Sequence, residues 1–217
     1  MEGLNNKNKY DLPRDYLSYS AYSLWKKDKN KFRRKYYENE KDFENAETIF
    51  GKKIAKALED GKSIKGVEKT KHPEYKIEAK LEDGLKILGY LDDLDEDTLQ
   101  IREFKTGHLN AKGKAPWDAV KVRKHKQLVF YCLLVKLKFG KYNPLTILEW
   151  METVFLDEKI EFSGYILTAK TKKLGLTGKV EKFERTIEEW ELEKLKDDII
   201  LTAKEITEDY KLWKEKK

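Results

Sequence analysis

The stretch that decides the fold is Gly89-Tyr90-Leu91-Asp92, followed after a short turn by Ile101-Arg102-Glu103-Phe104-Lys105-Thr106-Gly107. Side chains alternate between the two faces of a strand, so Leu99, Ile101, Glu103 and Lys105 share one face. That face begins apolar and ends in charges, which are costly on the buried side of a strand unless they pair or hold a metal. Two acids with a lysine alongside can bind Mg²⁺ and activate a water molecule beside a phosphate. The hairpin therefore predicts metal-assisted hydrolysis of a phosphate ester.

Length and composition favour one folded domain in a reducing interior. The chain has 217 residues, of which 40% are charged, but its 5 Trp, 12 Tyr and 9 Phe argue against disorder. The single cysteine, Cys132, lies in an apolar run and is expected to be buried; it excludes a disulfide framework and a cysteine-ligated iron–sulfur cluster within one chain. No signal peptide or membrane span is recognisable, so we expect a cytoplasmic protein that does not contact a membrane.

Two stretches concentrate positive charge. Trp25–Tyr37 carries seven Lys or Arg residues against one Asp, interleaved with aromatic side chains such as Tyr36. Lys112–Lys126, directly downstream of the hairpin, carries six basic residues and one acid. Cations with stackable rings suit a phosphate backbone and unstacked bases, although the first stretch fits a solvated helix face equally well. The residues expected to bind nucleic acid are Lys26, Lys27, Arg33, Arg34, Lys112, Lys114, Trp117, Arg123 and Lys124.

Hydrophobic periodicity predicts an α/β or α+β arrangement. We expect a flexible N-terminal arm over residues 1–15 and a single domain over 16–217, with its core at about 45–155. The predicted elements are helices from Ser18 or Ser20 through Tyr36 and over Asn45–Leu58, strands over 74–81, 85–94 and 98–105, a long helix over Trp117–Lys138, strands over 146–155, 160–168 and 180–186, and a final helix over about Ile187–Trp213.

An acid-x-Lys pattern alone has little value in so charged a chain, since Glu74-Tyr75-Lys76 and Glu78-Ala79-Lys80 also show it. Glu103 and Lys105 differ because they end an apolar strand and follow a strand that carries Asp92. Gln127 and Tyr131 add support, since residues four apart share one face of a helix and both can bond to a phosphate or a ligand. In isolation those two residues would be interpreted as core.

The ordered set GYLD (89–92), EFKTG (103–107) and QLVFY (127–131) resembles the PD-(D/E)xK nuclease superfamily, in particular its RecB-type branch. That branch shows a G-x-x-D strand, a (D/E)-x-K-T-G strand and a Q-x-x-x-Y helix in this order. The stretch 18–37 and the segment FGKKIAKALE (50–59) are similar to its first two helical segments. The resemblance implies a restriction-endonuclease-like core, with a central mixed sheet flanked by helices and added N-terminal and C-terminal helices.

Carried over residue by residue, the resemblance implies that Asp92 and Glu103 bind Mg²⁺ or Mn²⁺ together with the backbone carbonyl of Phe104. Lys105 would orient or help to deprotonate the attacking water and offset charge on the scissile phosphate. Gln127 would help to place these groups. The residues assigned to catalysis are Asp92, Glu103, Lys105, Gln127 and Tyr131.

The chain departs from the pattern at two positions that matter. The histidine expected after Gly-x-x-x is Ala55, which removes a metal ligand used by many RecB-type enzymes; Glu59, one turn further on, is the alternative ligand. The chain also lacks the four cysteines that bind the cluster in the iron–sulfur subgroup. The proline before the first acid is Leu91, a change without chemical consequence.

The sequence therefore predicts a Mg²⁺- or Mn²⁺-dependent deoxyribonuclease without a nucleotide cofactor. An exonuclease or flap-type activity on single-stranded DNA or duplex ends is expected, in repair, recombination or mobile-element metabolism. No phosphate-binding NTPase loop is present, so unwinding would require a separate helicase or recombination partner. Two alternatives remain open: a nuclease fold that has lost its chemistry and binds nucleic acid, and a structural subunit that uses its basic face to dock a partner.

Overall fold

The chain folds as six helices and six strands in a computed structural model that describes residues 9–162 and 165–217, with side chains described outside 158–172. The strands are β1 (Leu17–Ser18), β2 (Pro73–Glu82), β3 (Leu85–Asp95), β4 (Gln100–Gly107), β5 (Leu145–Phe162) and β6 (Tyr165–Thr186). The helices are α1 (Tyr19–Lys27), α2 (Lys29–Tyr36), α3 (Ala46–Glu59), α4 (Ala119–Arg123), α5 (Lys126–Phe139) and α6 (Glu189–Glu215).

All six strands form one mixed sheet, as predicted. The order of strands is β1-β3-β4-β5-β6. The remaining strand, β2, lies outside this order and pairs with β3. β3 pairs antiparallel with β2 and β4, whereas β4 and β5 run parallel because α4 and α5 cross over between them. Helices lie against the sheet, and the apolar face of α5 is buried from Leu128 to Val135. The mixed α/β class with a helix-flanked sheet is confirmed.

The point where β3 and β4 separate decides where the polar side chains meet. Their ladder pairs Asp95 with Gln100 and ends at the Asp93–Arg102 pair. Beyond it β4 continues alongside β5, and the backbone N–H of Phe104 donates to the carboxylate of Asp92 at 2.8 Å. The separation therefore exposes the ends of both strands to a common cavity.

Gly89 allows α5 to pack directly on β3. A Cβ atom at this position would lie 2.6 Å from Cδ1 of Leu134 and 3.1 Å from the ring of Tyr131. Real Cβ contacts essentially never come below 3.0 Å, so only glycine lets the helix approach this closely. The first residue of the G-x-x-D pattern is thus a packing requirement that brings Tyr131 towards Asp92.

The predicted helix over Trp117–Lys138 is wrong in one respect: it is two helices, α4 and α5, separated at Lys124 and His125. Arg185 of β6 stabilises this break, since its Nη1 donates to the carbonyls of His125 at 2.8 Å and Val122 at 3.2 Å. His125 is extended, with ψ of 96°, and precedes the first turn of α5. No glycine or proline marks the break in the sequence.

The predicted strands over 146–155, 160–168 and 180–186 are also wrong as separate elements. They belong to one long antiparallel hairpin of β5 and β6, with irregularities after Met151 and Phe155. Residues 163 and 164, which the 160–168 prediction includes, lie outside the described residues. The helix predicted over Asn45–Leu58 matches α3, and the side chain of Asn45 accepts from the N–H of Thr48 as its N-cap.

The N-terminal segment differs from the expected flexible arm where the structure describes it. Residues 1–8 lie outside the described residues, but Tyr10 is buried and donates to Glu82 at the end of β2. Asp11 pairs with Lys214 near the end of α6 at 2.5 Å. Residues 9–15 therefore pack on the domain instead of extending from it.

Candidate active site

A cavity of about 540 Å³ opens where β3 and β4 separate, and we call it the carboxylate cavity. Asp92 and Glu103 line it together with Lys105 and Gln127. Helix α3 also lines it, through residues such as Ala55. The sheet and the two helices thus bring the residues of three separate sequence motifs to one place.

Glu103 is the most unusual group in this cavity. Its side chain is 1% exposed; one oxygen accepts from the ammonium of Lys105, and the other oxygen, Oε2, accepts from no N–H or O–H group of the described residues. The carboxyl groups of Glu103 and Asp92 are close enough to share a proton in a hydrogen bond. Burial and the neighbouring charge of Asp92 raise the pKa of Glu103 to about 8, although Lys105 opposes this shift. Burial also raises the pKa of Asp92. Two buried carboxyls side by side, one with a free oxygen, are unstable without a shared proton or a cation.

Lys105 connects the carboxylates to α5. Its ammonium bonds to Glu103 and donates to Oε1 of Gln127 at 3.3 Å. The amide of Gln127 in turn donates to the hydroxyl of Tyr131 at 2.7 Å. Burial lowers the pKa of Lys105, but the charges of Glu103 and Asp92 outweigh it and the net pKa is raised, so the ammonium stays charged. The Gln-x-x-x-Tyr pair therefore orients Lys105 through a continuous hydrogen-bond chain.

Two further residues flank Lys105 that sequence reasoning did not assign to the site. Tyr19 of α1 lies near Lys105 and Glu103, and burial raises the pKa of its hydroxyl. His125, which lies in the second basic stretch, is half-buried, and burial together with the cations Lys105 and Arg185 lowers its pKa to about 4. His125 is therefore neutral at physiological pH and adds no competing charge beside Lys105.

Helix α3 reaches the site through Gly51, where an added Cβ would meet Oγ1 of Thr106 at 3.2 Å. Ala55, one turn on, lines the cavity at the position where the resemblance expects a histidine. Glu59 does not line it; this residue is exposed and pairs with Lys56 at 3.1 Å. The geometry thus gives no support to Glu59 as a metal ligand.

Two other acids do reach the cavity and were missed by sequence reasoning. Glu47, in the first turn of α3, and Glu74, at the start of β2, both line it. Glu74 keeps much of its surface exposed, but the protein partly desolvates its carboxyl, and this desolvation together with the nearby charges of Asp92 and Glu59 raises its pKa. Glu74 has a backbone φ of 52°, which is unusual for a non-glycine residue. An acid-x-Lys pattern at 74–76 was the only signal, and it is shared with other exposed segments.

The first basic stretch is largely used inside the molecule. Lys26 pairs with Asp198 at 2.7 Å, and Arg33 forms two hydrogen bonds to Asp209, both on α6. Arg34 pairs with Glu40 at 3.0 Å. Tyr36 and Tyr37, the aromatic residues at the end of this stretch, are buried and offer no ring for base stacking. Lys27 is exposed and carries no ion pair within the described chain.

The second basic stretch divides between two places. Lys112 and Lys114 are exposed in the loop after β4, where their backbone N–H groups donate to the side chain of Asn110. Trp117 is partly buried against His125, with ring centroids 4.9 Å apart. The remaining pair, Arg123 and Lys124, lies in a separate depression beside α6 and does not line the carboxylate cavity.

Behind the site, a buried ion network ties the strands together. Arg102 is 7% exposed and bonds to Asp93 at 3.0 Å and to Glu149 of β5 at 2.8 Å. It also donates to the carbonyl of Glu68 at 3.1 Å. Because Asp93 and Arg102 adjoin Asp92 and Glu103 in sequence, this network fixes the two strands that carry the carboxylates.

The donor set fits a hard divalent cation. Mg²⁺ prefers oxygen ligands and commonly uses one or two carboxylates while it keeps several waters. Asp92 and Glu103, with the free Oε2 atom, supply this chemistry, and the cavity leaves room for water. Over residues 9–162 and 165–217, no group of three or more His, Cys, Asp or Glu side chains could hold a metal ion.

Comparison with known proteins gives the class. The family model of the PD-(D/E)XK nuclease superfamily matches residues 9–217, and the chain belongs to this superfamily. No curated protein matches the chain. One solved structure, described as the crystal structure of SSO0001, is similar to this chain with 13% sequence identity and a TM-score of 0.42. The match covers 87% of this chain and 77% of the chain in that structure. In the part of the chain that the structure describes, no helix is long and apolar enough to cross a membrane.

Proposed function

We propose that the protein is a Mg²⁺- or Mn²⁺-dependent nuclease that hydrolyses phosphodiester bonds of DNA in the carboxylate cavity. The observation that supports this most strongly is Glu103: a buried carboxyl with one free oxygen, beside Asp92 and bonded to Lys105. Such an arrangement is costly for folding alone, since two adjacent buried carboxyl groups must share a proton or be compensated by a cation. Membership of the PD-(D/E)XK superfamily supports the same chemistry.

Each residue then has a distinct role in hydrolysis. Asp92, Glu103 and the carbonyl of Phe104 would hold the cation, which would supply Lewis-acid polarisation of the phosphate and a more acidic water. Lys105 holds the attacking water and offsets the negative charge that develops on the phosphate oxygens. Gln127, anchored by Tyr131, keeps the Lys105 ammonium in place.

For the substrate, we propose single-stranded DNA or duplex ends, cut in an exonuclease or flap-processing reaction. The cavity adjoins a basic surface through Lys52, and strand binding requires such cations. Any duplex opening would come from a separate helicase or recombination partner. This assignment rests on resemblance to the RecB-type branch more than on the residues of the cavity.

The rival function is a nucleic-acid-binding module that has lost its chemistry. Ala55 favours it, because a methyl group lines the cavity where a histidine ligand is expected. The complete set of Asp92, Glu103 and Lys105 favours the enzyme. The two functions differ in their need for metal, since a binding module would hold DNA equally well in the presence of a chelator.

Cleavage of end-labelled single-stranded and duplex DNA with Mg²⁺ or Mn²⁺ tests the proposal, with EDTA and the Lys105→Ala variant as controls. Metal-dependent products that disappear in both controls would support the nuclease, and the product ladder would separate exonuclease from endonuclease action. Tight binding without cleavage, unchanged by EDTA, would replace the nuclease with the binding module.

A further inference from the structure

A second cavity continues from the carboxylate cavity along the N-terminal helices, and we call it the entry groove. It measures about 840 Å³ and shares Thr48, Lys52 and Gln127 with the carboxylate cavity. One side is formed by α1 and α2 and another by β3 and the loop of residues 38–45 before α3. A molecule lying in the groove would therefore reach Lys105 and the carboxylates at one end.

The entry groove carries an excess of positive charge. Lys27 and Lys31 line it, and neither has a carboxylate within ion-pair distance in the described part of the chain. Lys35 and Lys52 also line it, paired with Asp42 and Glu44 of the loop. Arg14, near the ring of Tyr36, adds a further cation. A polyanion complements this surface.

Two aromatic rings face solvent in the same groove. Phe43 is 93% exposed, although burial of so large an apolar side chain ordinarily stabilises a fold. The ion pairs of Asp42 and Glu44, on either side of Phe43, hold the loop that presents it. Tyr90, on β3 two residues before Asp92, is 48% exposed. These rings are free to stack with a planar group.

We propose that the entry groove binds a single-stranded segment of DNA and delivers it to the carboxylate cavity, with phosphates on Lys27 and Lys31 and bases stacked on Phe43 and Tyr90. The inference deepens the proposed nuclease function and rests on it for the reaction at the far end. A single strand fits better than a duplex because stacked, paired bases have no free face to offer an aromatic side chain.

Binding without cleavage tests the groove. Fluorescence anisotropy with a labelled oligothymidylate of about 20 nucleotides, in EDTA, compares wild type with Phe43→Ala and Tyr90→Ala. Loss of one stacked base should weaken single-strand binding by about 5- to 100-fold, while binding to a blunt duplex changes less than about twofold. Phe139→Ala, at the end of α5 outside the groove, is the matched control and should not weaken binding.

The contribution of Lys27 and Lys31 is measured through the salt dependence of single-strand binding. The Lys27→Ala/Lys31→Ala double variant should lower the slope of log affinity against log salt concentration by about 1.4 on the single strand, since each phosphate contact contributes about 0.7. Lys138→Ala/Lys141→Ala, which removes the same charge near the C-terminal end of α5, should leave the slope unchanged.

A small substrate separates this inference from the proposed function. The p-nitrophenyl ester of thymidine 5′-monophosphate reaches the carboxylate cavity without filling the groove, so the wild type and the Phe139→Ala control should hydrolyse it equally with Mn²⁺, whereas Lys105→Ala should not. If no form of the protein hydrolyses either the ester or DNA, the nuclease function is refuted, and the anisotropy measurements alone then decide whether the groove binds a single strand. Single-strand affinity within twofold of wild type for both aromatic variants, or an equal loss on duplex, would overturn the groove assignment.

Discussion

Metal uptake at pH 7 should release close to one proton per molecule. The pKa of Glu103 is raised to about 8 by burial and by Asp92, so at pH 7 the carboxyl is about 90% protonated in the metal-free protein. The protonated carboxyl group must lose its proton before it can bind a cation. Mn²⁺ binding should therefore release about 0.9 proton at pH 7 and about 0.1 proton at pH 9. The sign follows from the raised pKa: affinity for the metal increases as the pH rises towards 9.

Isothermal titration calorimetry in two buffers of different protonation enthalpy measures this number directly. The Asp92→Asn variant is the control: it removes the charge that helps to raise the pKa of Glu103, so both the proton release at pH 7 and the affinity should fall. A release near zero at pH 7, or an equal release at pH 7 and pH 9, would refute the description of Glu103 as a protonated, buried ligand.

Three other substitutions test parts of the account. Gly89→Ala should lower the free energy of unfolding, measured in urea, by about 1–3 kcal/mol, because its Cβ would lie 2.6 Å from Cδ1 of Leu134; an unchanged midpoint would contradict the packing argument. Arg102→Ala should cost about 3–5 kcal/mol, since it leaves the buried carboxylate of Asp93 without a cation and that of Glu149 with only Lys182 at 3.8 Å. Arg34→Ala, at an exposed pair, should cost at most about 1 kcal/mol, and equal losses would refute the buried network. Ala55→His should tighten Mn²⁺ binding in the same calorimetric assay, since an imidazole would face the cavity, and unchanged affinity would show that α3 lies too far from the cation.

Much of the candidate site was predictable because its chemistry is local in sequence. Glu103 and Lys105 are two residues apart on one strand, and Gln127 and Tyr131 are four apart on one helix, so strand and helix periods alone place each pair on one face. The structure adds what links the pairs: the Lys105–Gln127 hydrogen bond and the free Oε2 atom of Glu103. Neither this hydrogen bond nor the unpartnered oxygen has a signal in the sequence.

The errors arise where distant residues decide local structure. The break between α4 and α5 depends on Arg185, some sixty residues away, which bonds to the carbonyls exposed at the break. The basic stretch before Tyr37 looked free, but Asp198 and Asp209 of the last helix neutralise part of it. Charge patterns along one segment cannot show which acids another segment will supply.

The most direct test of the central claim is the single-turnover rate of DNA cleavage as a function of Mn²⁺ concentration, for wild type and for Glu103→Gln. We expect a rate that rises and saturates with metal in the wild type, and a loss of at least about 10³-fold in the variant, because removal of a ligand weakens both metal binding and charge stabilisation. Equal rates in the two proteins, or wild-type cleavage that persists in EDTA, would contradict the account of Asp92 and Glu103 as the metal-binding pair.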